Sequence, residues 1–497
     1  MRYSKHNRIL WIICAAAGIL LTGCIMVCPG EPTYEPPTPE DTVPPTPPTP
    51  PVEDTTQINP SKRNLTYLFD LDAVPEITLS VTEKDWNTYL SNFDKWEHNG
   101  LYVPAAFTFK KGDKEFHRDS VGLRPRGNTS RRRPEGNNGD VHRDGAQWHH
   151  AHFGIRFTEY ETGERFFGCD RMILKWHKDD AAYCREIYCY DLFHRFGVWS
   201  APYASYCRLS VHIEGDSRPV YMGVYAMIEN PRKGWLNDRM KAGHIPDTDG
   251  NMWKASWGAD LSNADKSRMG ISDDYGLVNP VYDLKTNKSQ LATAQQELAD
   301  FINGMTPLQS GSTELQAWLE QHVDIDLFLR AYAVNVMVGM WDDYWINQNN
   351  YLFYFDSNHR FYFIPFDYDN TLGTSGLGIN PGTQDMLHWG SLGGDRILMR
   401  KVMSISAFQE QYKIYIRELA SSDELFGTQG SKARIRKWQT MVRPYVDNDT
   451  GEDTRIEDKP ASWGQHGQYR LLSGGVGDGQ SSESNYFDTK INSIYWK

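Results

Sequence analysis

Four carboxylates flank a short, aromatic-rich stretch within residues 339–371. One pair, Asp342 and Asp343, precedes most of the aromatic residues, and the second pair, Asp367 and Asp369, follows them. Carboxylate oxygens are ligands that hard divalent cations prefer, and a carboxylate can also act as a general base. If the fold brings the two pairs together, they form a site for metal-assisted or acid–base chemistry.

The stretch between the two pairs has the pattern of a β-hairpin. Residues 350–355 and 360–365 have strand-forming side chains, and turn-forming residues at 356–359 separate them. A hairpin brings its ends together, so we expect Asp342 and Asp367 to meet at its open end. Three asparagines beside the first pair offer further oxygen ligands for a hard cation: Asn347, Asn349 and Asn350.

Protein kinases use a similar set of parts for phosphoryl transfer. An Asp of their catalytic loop orients the acceptor hydroxyl, an Asn a few residues later binds one magnesium ion, and a second Asp binds the other. Here the two Asp are further apart than in ordinary kinases, and no HRD or DFG sequence is present. From the residues alone, a kinase-like site and an acidic hairpin rim with a structural ion both remain open.

The elements that would position this site fall into two unequal parts. Residues 65–170 alternate in short runs typical of half-buried strands, with one helical segment at 83–93. A helix over 180–197 and two more strands follow, and the later part of the chain has mainly helical patterns. We predict an α+β fold with a β-rich first lobe at about 63–235, a helical second lobe at about 236–497, and a cleft between them.

The N-terminus has the pattern of an export signal. Basic residues precede an apolar run that ends at Gly23, which is too short to span a bilayer of about 30 Å but suits a signal peptide over residues 1–23. The run ends in LTGC at 21–24, which resembles a bacterial lipobox. We therefore predict lipidation of Cys24 and a membrane-anchored protein of the cell envelope, at the outer membrane or cell surface. An ordinary signal peptide with an incidental Cys is the alternative.

A proline-rich segment separates this signal from the globular part. Residues 24–62 are rich in Pro, Thr and acidic residues, with TPPTPPTPP near the centre. Such composition favours extended polyproline II without a core of its own. We predict a stalk that holds the domain at 63–497 away from the anchor.

Composition narrows the partners and the redox chemistry. The net charge of −12 argues against a nucleic-acid partner, because binding a polyanion depends on basic surface. Four cysteines of the globular part lack the close-paired spacing of a zinc site: Cys169, Cys184, Cys189 and Cys207. Export would permit a disulfide, and buried free thiols are the alternative.

Several motifs together resemble the spore coat protein H (CotH) kinase-like family. The similar segments follow the family's order over about residues 65–375: RGNTS at 126–130, a DPSxxRxKLAYDLF-like helix at 180–193, a GxYxLxE-like strand at 223–229, an LYK-like segment at 252–254, WD at 341–342, an NNYxLY-like strand at 349–352 and an IPWDxDxTFG-like close at 364–373. Each motif alone is weak, but together they are specific.

This resemblance implies an atypical kinase that transfers phosphate from ATP to protein Ser or Thr with Mg²⁺ or Mn²⁺. It also implies roles in the acidic stretch: Asp342 as catalytic base, Asp367 as metal ligand with Asp369 in support, and Asn349 or Asn350 as ligand of a second metal. Asn347 instead has the ordinary kinase spacing from Asp342. Asp343 is expected to point to solvent.

The nucleotide phosphates would be held by the first lobe. The Arg-rich segment 124–133 surrounds a Gly-Asn turn, and guanidinium groups suit bidentate contacts with phosphate. We expect a phosphate-covering loop that contains Arg126, Gly127 and Asn128, with a solvated basic loop as the alternative. The three arginines at 131–133 either remain solvated or recruit an acidic substrate.

One further cation should grip the phosphates. The family often has Lys in the strand after this loop, where this chain has Arg156, so the cation stays open among Arg156, Lys175 and Lys254. Arg185, at the Arg position of the family's helix, and Glu229 complete the predicted nucleotide-binding set. Glu229 capping a strand is the alternative.

Export raises a physical objection to a kinase, because ATP is scarce outside the cytoplasm. Two classes of function therefore stay open: an envelope or surface protein kinase that uses locally released nucleotide, and a non-catalytic lipoprotein that binds envelope glycan or a partner protein. The combination of Asp342, Asp367 and an intervening Asn favours catalysis, because binding alone has no need of metal-ligand chemistry.

Overall fold

Strands and helices occur throughout the part of the chain that the structure describes. The structure is a computed structural model, and it describes residues 58–496 apart from 162, 164, 377, 390–395 and 461–467. The predicted signal peptide, Cys24 and most of the predicted stalk therefore lie outside the described residues. The mixture of helices and sheets confirms the α+β class.

The first half of the described chain forms a closed barrel of seven strands. Their bounds are β1 Glu76–Val81, β2 Val103–Lys111, β3 Lys114–Arg126, β4 His152–Arg156, β5 Arg171–Trp176, β6 Ala204–Ile213 and β7 Val220–Glu229. Around the barrel the order is β1-β2-β3-β4-β5-β7-β6, and a parallel pairing of β1 with β6 closes it. The alternation of buried and partly exposed residues along β1 and β2 is the period of two that the sequence predicted.

A second sheet lies in the later half, where we expected mainly helices. Its strands are β8 Asn251–Ala255, β9 Met269–Gly270, β10 Tyr282–Leu284, β11 Tyr351–Phe355 and β12 Phe361–Pro365, in the spatial order β12-β11-β8-β10-β9. β11 and β12 are the predicted hairpin, and they pair Tyr351 with Pro365 at its open end. The prediction missed β8 to β10 because strands of two to five residues are too short to show a periodic pattern.

The helices pack against both sheets. Their bounds are α1 Leu65–Leu68, α2 Glu83–Lys95, α3 Arg185–Arg195, α4 Lys233–Lys241, α5 Leu291–Met305, α6 Thr313–His322, α7 Ile325–Val338, α8 Ile397–Met403, α9 Ser406–Ser421, α10 Thr428–Val442 and α11 Tyr486–Asn492. α2 and α3 contact barrel strands, and α5 and α7 contact the second sheet. α7 ends at Gly339, whose φ of 69° is the left-handed conformation common after a helix C-terminus. This stop places the first acidic pair just beyond the helix.

The core consists of two hydrophobic clusters that meet at β5. Met172 and Leu174 point into the barrel cluster, whereas Ile173 belongs to the cluster of the helices and the second sheet. Because side chains two residues apart share a face of a strand, Lys175 lies on the same outer face as Ile173. The described residues belong to one compact unit that begins at Ile58.

Two further features bear on the sequence predictions. The four cysteines of the described region are free and buried, so the disulfide alternative is wrong for this structure and the free-thiol alternative is confirmed. Within the described residues, no helix combines the length and the apolar character needed to cross a membrane.

Candidate active site

Three carboxylates and one lysine form an acidic centre between β5, α3 and the end of β12. The Lys175 Nζ lies 2.5 Å from Asp367 Oδ1, 2.8 Å from Glu186 Oε2 and 3.0 Å from Asp369 Oδ2. Ligand atoms of the three acids all lie within 4.8 Å of one another. The lysine is buried, with 8% of its surface exposed. This group, Lys175 with Glu186, Asp367 and Asp369, is called the acidic centre below.

Local structure fixes each member of the acidic centre. Lys175 is the fifth residue of β5, and Glu186 lies in the first turn of α3, where a negative charge interacts favourably with the helix dipole. Asp367 follows β12 with a φ of 66°, a left-handed conformation that costs free energy in a non-glycine residue. Its backbone N–H donates to the Tyr190 hydroxyl at 3.0 Å, and this contact helps to hold the turn.

With all of its acids ionised, the acidic centre would carry three negative charges and one positive charge. Burial, together with Asp369 and Asp367, raises the pKa of Glu186 to about 8, although Lys175 opposes this shift. Burial and the neighbouring Asp367 likewise raise the pKa of Asp369. Burial alone would raise the pKa of Asp367 too, but Lys175 holds it below the ordinary value. One ammonium group thus faces three carboxylates, and a divalent cation would supply the missing positive charge.

The charges of the acidic centre influence the pKa of Asp342. Burial raises the pKa of Asp342 to about 6, and the charges of Asp367 and Asp369 add to this rise. Asp342 and Asp367 therefore lie within electrostatic reach of each other, near the open end of the hairpin where Tyr351 pairs with Pro365. A pKa near neutrality suits a general base, because the group is then ionised at operating pH and still accepts a proton readily.

All three predicted asparagines turn their amide groups towards Asp342. Asn347 Nδ2 donates to Asp342 Oδ1 at 2.6 Å, Asn349 Nδ2 donates to the same oxygen at 3.2 Å, and Asn350 Nδ2 donates to Asp342 Oδ2 at 3.0 Å. Asn350 has a φ of 50°, so the loop bends sharply here. In this arrangement the asparagines orient the carboxylate of Asp342. Their side-chain oxygens are the atoms that could bind a metal.

Asp343 does not point to solvent, as the sequence led us to expect. It is fully buried, and its Oδ1 accepts the backbone N–H groups of Trp345 and Ile346 at 3.0 and 3.4 Å. Burial raises its pKa well above the ordinary range, which favours the neutral acid. The prediction was wrong because a short Asp side chain can cap its own turn from inside the fold.

The predicted phosphate-covering loop lies beside the acidic centre. Arg126 ends β3, and its charge, like that of Lys254 on β8, lowers the pKa of Asp367. Gly127 has a φ of 100°, which permits the sharp turn, and Asn128 is exposed. Of the predicted nucleotide-binding residues, Arg126 and Lys254 thus lie within electrostatic reach of Asp367, and Gly127 and Asn128 adjoin them.

The other three residues predicted to bind nucleotide make structural contacts elsewhere. Arg156 pairs with Glu159 at 2.5 Å. In the pairing of β4 with β5, Arg156 lies opposite Arg171, which is four residues before Lys175. Arg185 is buried in an ion pair with Asp180 at the start of α3. Glu229 binds Arg239 of α4 through both carboxylate oxygens, at 3.0 and 2.8 Å.

The arginines at 131–133 are tied into the fold rather than left as a free basic loop. Arg131 donates to the backbone carbonyls of Glu97 and Asn99 at 2.6 and 2.9 Å. Arg132 binds both carboxylate oxygens of Glu452 at 2.8 and 2.7 Å, and Arg133 is buried against Asp94. These contacts brace the loop that carries Gly127.

Sequence reasoning missed Glu186 and left Lys175 as one of three options. A signal for both was available, because kinases pair a strand lysine with a glutamate of the next helix. Lys175 precedes the helical pattern at 180–197, and Glu186 lies within that pattern. The adjacent Arg185 drew attention away from Glu186 because it matched a family motif.

In the acidic centre, a strand lysine pairs with a helix glutamate beside acids that follow a hairpin. Kinase-like proteins have this arrangement. Comparison with protein families agrees: residues 123–474 match the family described as CotH kinase protein, and this is more than two thirds of the chain. The chain therefore belongs to the CotH kinase family, which confirms the resemblance seen in its motifs. The match begins later and extends further than the expected 65–375.

A search of characterised proteins finds Spore coat protein homolog 1 of Rhizopus delemar, which is 22% identical over 205 residues. The aligned part covers 41% of this chain and 30% of that protein, so the chain spans less than a third of that relative's length.

Proposed function

We propose that this protein is an atypical kinase that transfers phosphate from ATP to Ser or Thr of an envelope or surface protein. The observation that carries the proposal is the acidic centre, where Lys175 and Glu186 form an ion pair at 2.8 Å beside Asp367 and Asp369. Membership of the CotH kinase family supports the same chemistry.

A two-lobed, kinase-like arrangement is part of this proposal. The barrel supplies Lys175 and the loop at Arg126, while the second sheet supplies Lys254 and, after β12, Asp367. Kinases likewise place the nucleotide between a lobe that carries the lysine and a lobe that carries the acidic residues. The barrel would cover the phosphates, and the part with the second sheet would present the acceptor.

The donor atoms present fit Mg²⁺ or Mn²⁺. Asp367, Asp369 and Glu186 offer carboxylate oxygens within 4.8 Å of one another, and such cations prefer oxygen ligands. We assign Asp367 and Asp369 as ligands, with Asn349 or Asn350 contributing a side-chain oxygen. When bound, the cation neutralises phosphate charge.

The chain's own residues divide the remaining work. Arg126, Lys175 and Lys254 attract the negative phosphates, and charge-assisted hydrogen bonds of this kind are stronger than neutral ones. Asp342 accepts the proton of the acceptor hydroxyl, and its three asparagine partners hold its carboxylate in one orientation. Asp343 fixes the backbone of the turn that carries Asp342.

The place of action is a separate proposal that follows from the sequence alone. An acylated Cys24 and the Pro-rich stalk would hold the kinase at the outer membrane or cell surface, where its protein substrate would also lie. No nucleic-acid partner is proposed for a chain with a net charge of −12.

A non-catalytic protein that binds envelope glycan or a partner protein is the second candidate. It is favoured by one observation: a predicted export signal would place the chain where ATP is scarce. The buried surplus of carboxylates argues against it, because a binding protein gains nothing from three acids around one lysine.

The two candidates are separated by incubating the purified chain with labelled ATP and either Mg²⁺ or Mn²⁺. We expect metal-dependent labelling of the protein itself or of envelope proteins added to the reaction. A matched reaction with Asp367→Asn should show no labelling. If the wild-type protein labels neither itself nor the envelope proteins with either metal, the kinase proposal fails and the binding protein takes its place.

A further inference from the structure

A strongly basic cavity opens where β4 and β5 meet α4 and the residue after β10. Its volume is about 800 Å³, and of its seventeen lining residues eight are Arg or Lys and two are Asp. The chain as a whole has a net charge of −12, so the cavity lining is opposite in sign to the net charge of the molecule. Five of the lining cations are Arg156, Arg171, Arg232, Lys233 and Lys285. This space is called the basic cavity.

The basic cavity and the acidic centre lie at opposite ends of one face of the barrel. Arg171 and Lys175 share the outer face of β5, because they are an even number of residues apart. Four residues of extended strand separate them by about 13 Å. Arg156 lies beside Arg171 on β4. No residue of the acidic centre lines the cavity among the described residues.

Acids at and beside the cavity balance part of its positive charge: Arg156 pairs with Glu159 and Lys285 with Asp283, whereas Arg232 has no carboxylate partner among the described residues. Asp238 lies 3.2 Å from Arg63, and Asp170 lies 3.6 Å from Arg171 Nε. That Nε is itself buried and has no hydrogen-bond partner among the described residues. A buried donor without an acceptor is costly, so an anion that bound the Arg171 guanidinium would be favoured.

Mutual repulsion between the cations supports this interpretation. Burial, with Arg171 and Arg124, lowers the pKa of Arg232 to about 9. Burial and Arg232 lower the pKa of Lys285 well below its ordinary range, although Asp283 opposes them. Like charges that repel one another in a partly buried site destabilise the empty protein. An anion in the cavity would remove this cost.

The lining also defines the chemical class of the anion. Apart from glycines, Met240 is the one apolar residue among the lining residues, whereas pockets for nucleobases and other organic ligands are mostly apolar. Guanidinium groups match the geometry of phosphate oxygens. We propose that the basic cavity binds a phosphate-bearing anion with two or more charges, held by Arg171 and Arg232, at the same time as a nucleotide occupies the acidic centre. This proposal does not depend on whether the acidic centre transfers phosphate.

The test is calorimetric titration of the whole chain with sodium tripolyphosphate in buffer that contains EDTA. We expect saturable binding that weakens as salt is added, because the contacts are electrostatic. Arg171→Gln and Arg232→Gln should each weaken binding about 10-fold to 100-fold, the loss expected for one charged hydrogen-bonding group. Arg218→Gln removes the same charge from an exposed residue that pairs with Asp449, and it should leave binding unchanged.

A second titration decides whether the cavity is separate from the nucleotide site. Tripolyphosphate is added to protein that is already saturated with a non-hydrolysable ATP analogue, with free Mg²⁺ kept in excess over the tripolyphosphate because polyphosphates chelate the metal. We expect it to bind with unchanged affinity. Displacement of the analogue would assign the cavity to the nucleotide and overturn the proposal, as would equal binding by wild type and both cavity variants. If one cavity variant does not fold, the other still shows whether the anion binds in the cavity.

Discussion

At the scale of single residues, Asp342 and Asp367 have distinct tasks that mutation can separate. Asp367 contacts Lys175 within the acidic centre, so Asp367→Asn should weaken metal-dependent nucleotide binding and abolish transfer. Asp342 accepts hydrogen bonds from asparagines outside that centre. Asp342→Asn should therefore keep most of the nucleotide affinity and lower transfer about 10²-fold to 10⁴-fold, the usual contribution of a general base.

Calorimetric titration with an ATP analogue, beside a labelled-phosphate assay, measures both effects. The exposed Asp300→Asn on α5 removes a carboxylate elsewhere and should behave as wild type. An equal loss of nucleotide binding in the two site variants would mean that both carboxylates serve one metal, and the division of roles would then be wrong.

Asp343 gives a second residue-scale prediction. Its Oδ1 holds two backbone N–H groups of the turn, and its high pKa favours the neutral form. Asp343→Ala leaves those donors buried without a partner and should lower the free energy of unfolding by about 1–3 kcal/mol. Asp343→Asn keeps an oxygen in place and should cost much less. Urea unfolding of both variants checks this, and a fall of equal size in the two would point to the loss of charge instead.

A functional residue can be predicted from the sequence when its partners are close to it in the chain. It is missed when its partners lie on a distant element. Asp342, Asp367 and Asp369 could be predicted as a group because a hairpin joins them, and Arg126 because a glycine turn follows it. Glu186 was missed, since its partner Lys175 is on another element and the pair exists only once α3 packs against β5. Glu229 and Arg185 matched family motifs, but their partners show that they stabilise the fold.

At the scale of elements, the turn at Gly127 joins β3 to the loop that we assign to phosphate binding. With a φ of 100°, a β-carbon here would lie 2.9 Å from Ser130 Oγ and 3.2 Å from the Arg131 backbone nitrogen. Gly127→Ala should lower the free energy of unfolding by about 1–2 kcal/mol and also weaken nucleotide binding.

A matched control for this turn lies in the β2–β3 connection. Gly112 has a φ of 61°, and a β-carbon there would meet nothing within 4 Å. Gly112→Ala should therefore reduce stability through backbone strain alone and leave the affinity for an ATP analogue unchanged. If both alanine variants bind the analogue as wild type does, the loop after β3 does not cover the phosphates.

A buried histidine links the loop after β3 to the β6–β7 connection and makes stability depend on pH. His142 Nδ1 lies 2.9 Å from Glu135 and its Nε2 lies 2.9 Å from Asp216. Burial alone would lower the pKa of His142, but hydrogen bonds to Glu135 and Asp216 raise it above 6.5. Because the folded pKa is raised, this stabilisation is fully present below the unfolded pKa and is lost as pH rises through the folded value.

The corresponding variant is His142→Gln, compared with the exposed His98→Gln as control. The difference in free energy of unfolding between wild type and His142→Gln should be larger at about pH 6 than at about pH 9. Chemical denaturation at both pH values measures it. A difference that does not change with pH would show that the histidine contributes through packing and not through its charge.

Element prediction succeeded where a pattern was long enough to have a period. α2 and α3 follow from helical spacing, the hairpin follows from turn-forming residues between two strand-forming runs, and the structure confirms all three. β9, with two residues, has no period, and β10 has three residues that are all buried. Their strand character comes from pairing with β8, which is a tertiary effect that no local pattern carries.

At the scale of the whole molecule, the sequence predicts attachment to a membrane through its first segment. Lipidated Cys24 would anchor the chain, and the Pro-rich stretch would extend it from the surface. Cys24→Ser should move the protein from the membrane fraction to the soluble fraction. Incorporation of labelled palmitate into wild type but not into the variant measures this directly, and failure of wild type to incorporate it would refute the lipoprotein assignment.

The way in which the barrel closes also has a consequence for how this chain folds. β1 can pair with β2 early in synthesis. Its other edge pairs with β6, and in this pairing Glu76 lies opposite Arg208. Until β6 is available, that edge presents unpaired N–H and C=O groups that can pair with another chain. Contacts so distant in sequence slow folding and prolong this exposure. The state most prone to aggregation is therefore a newly synthesised chain whose barrel has not yet closed. We expect aggregation during folding to begin at β1.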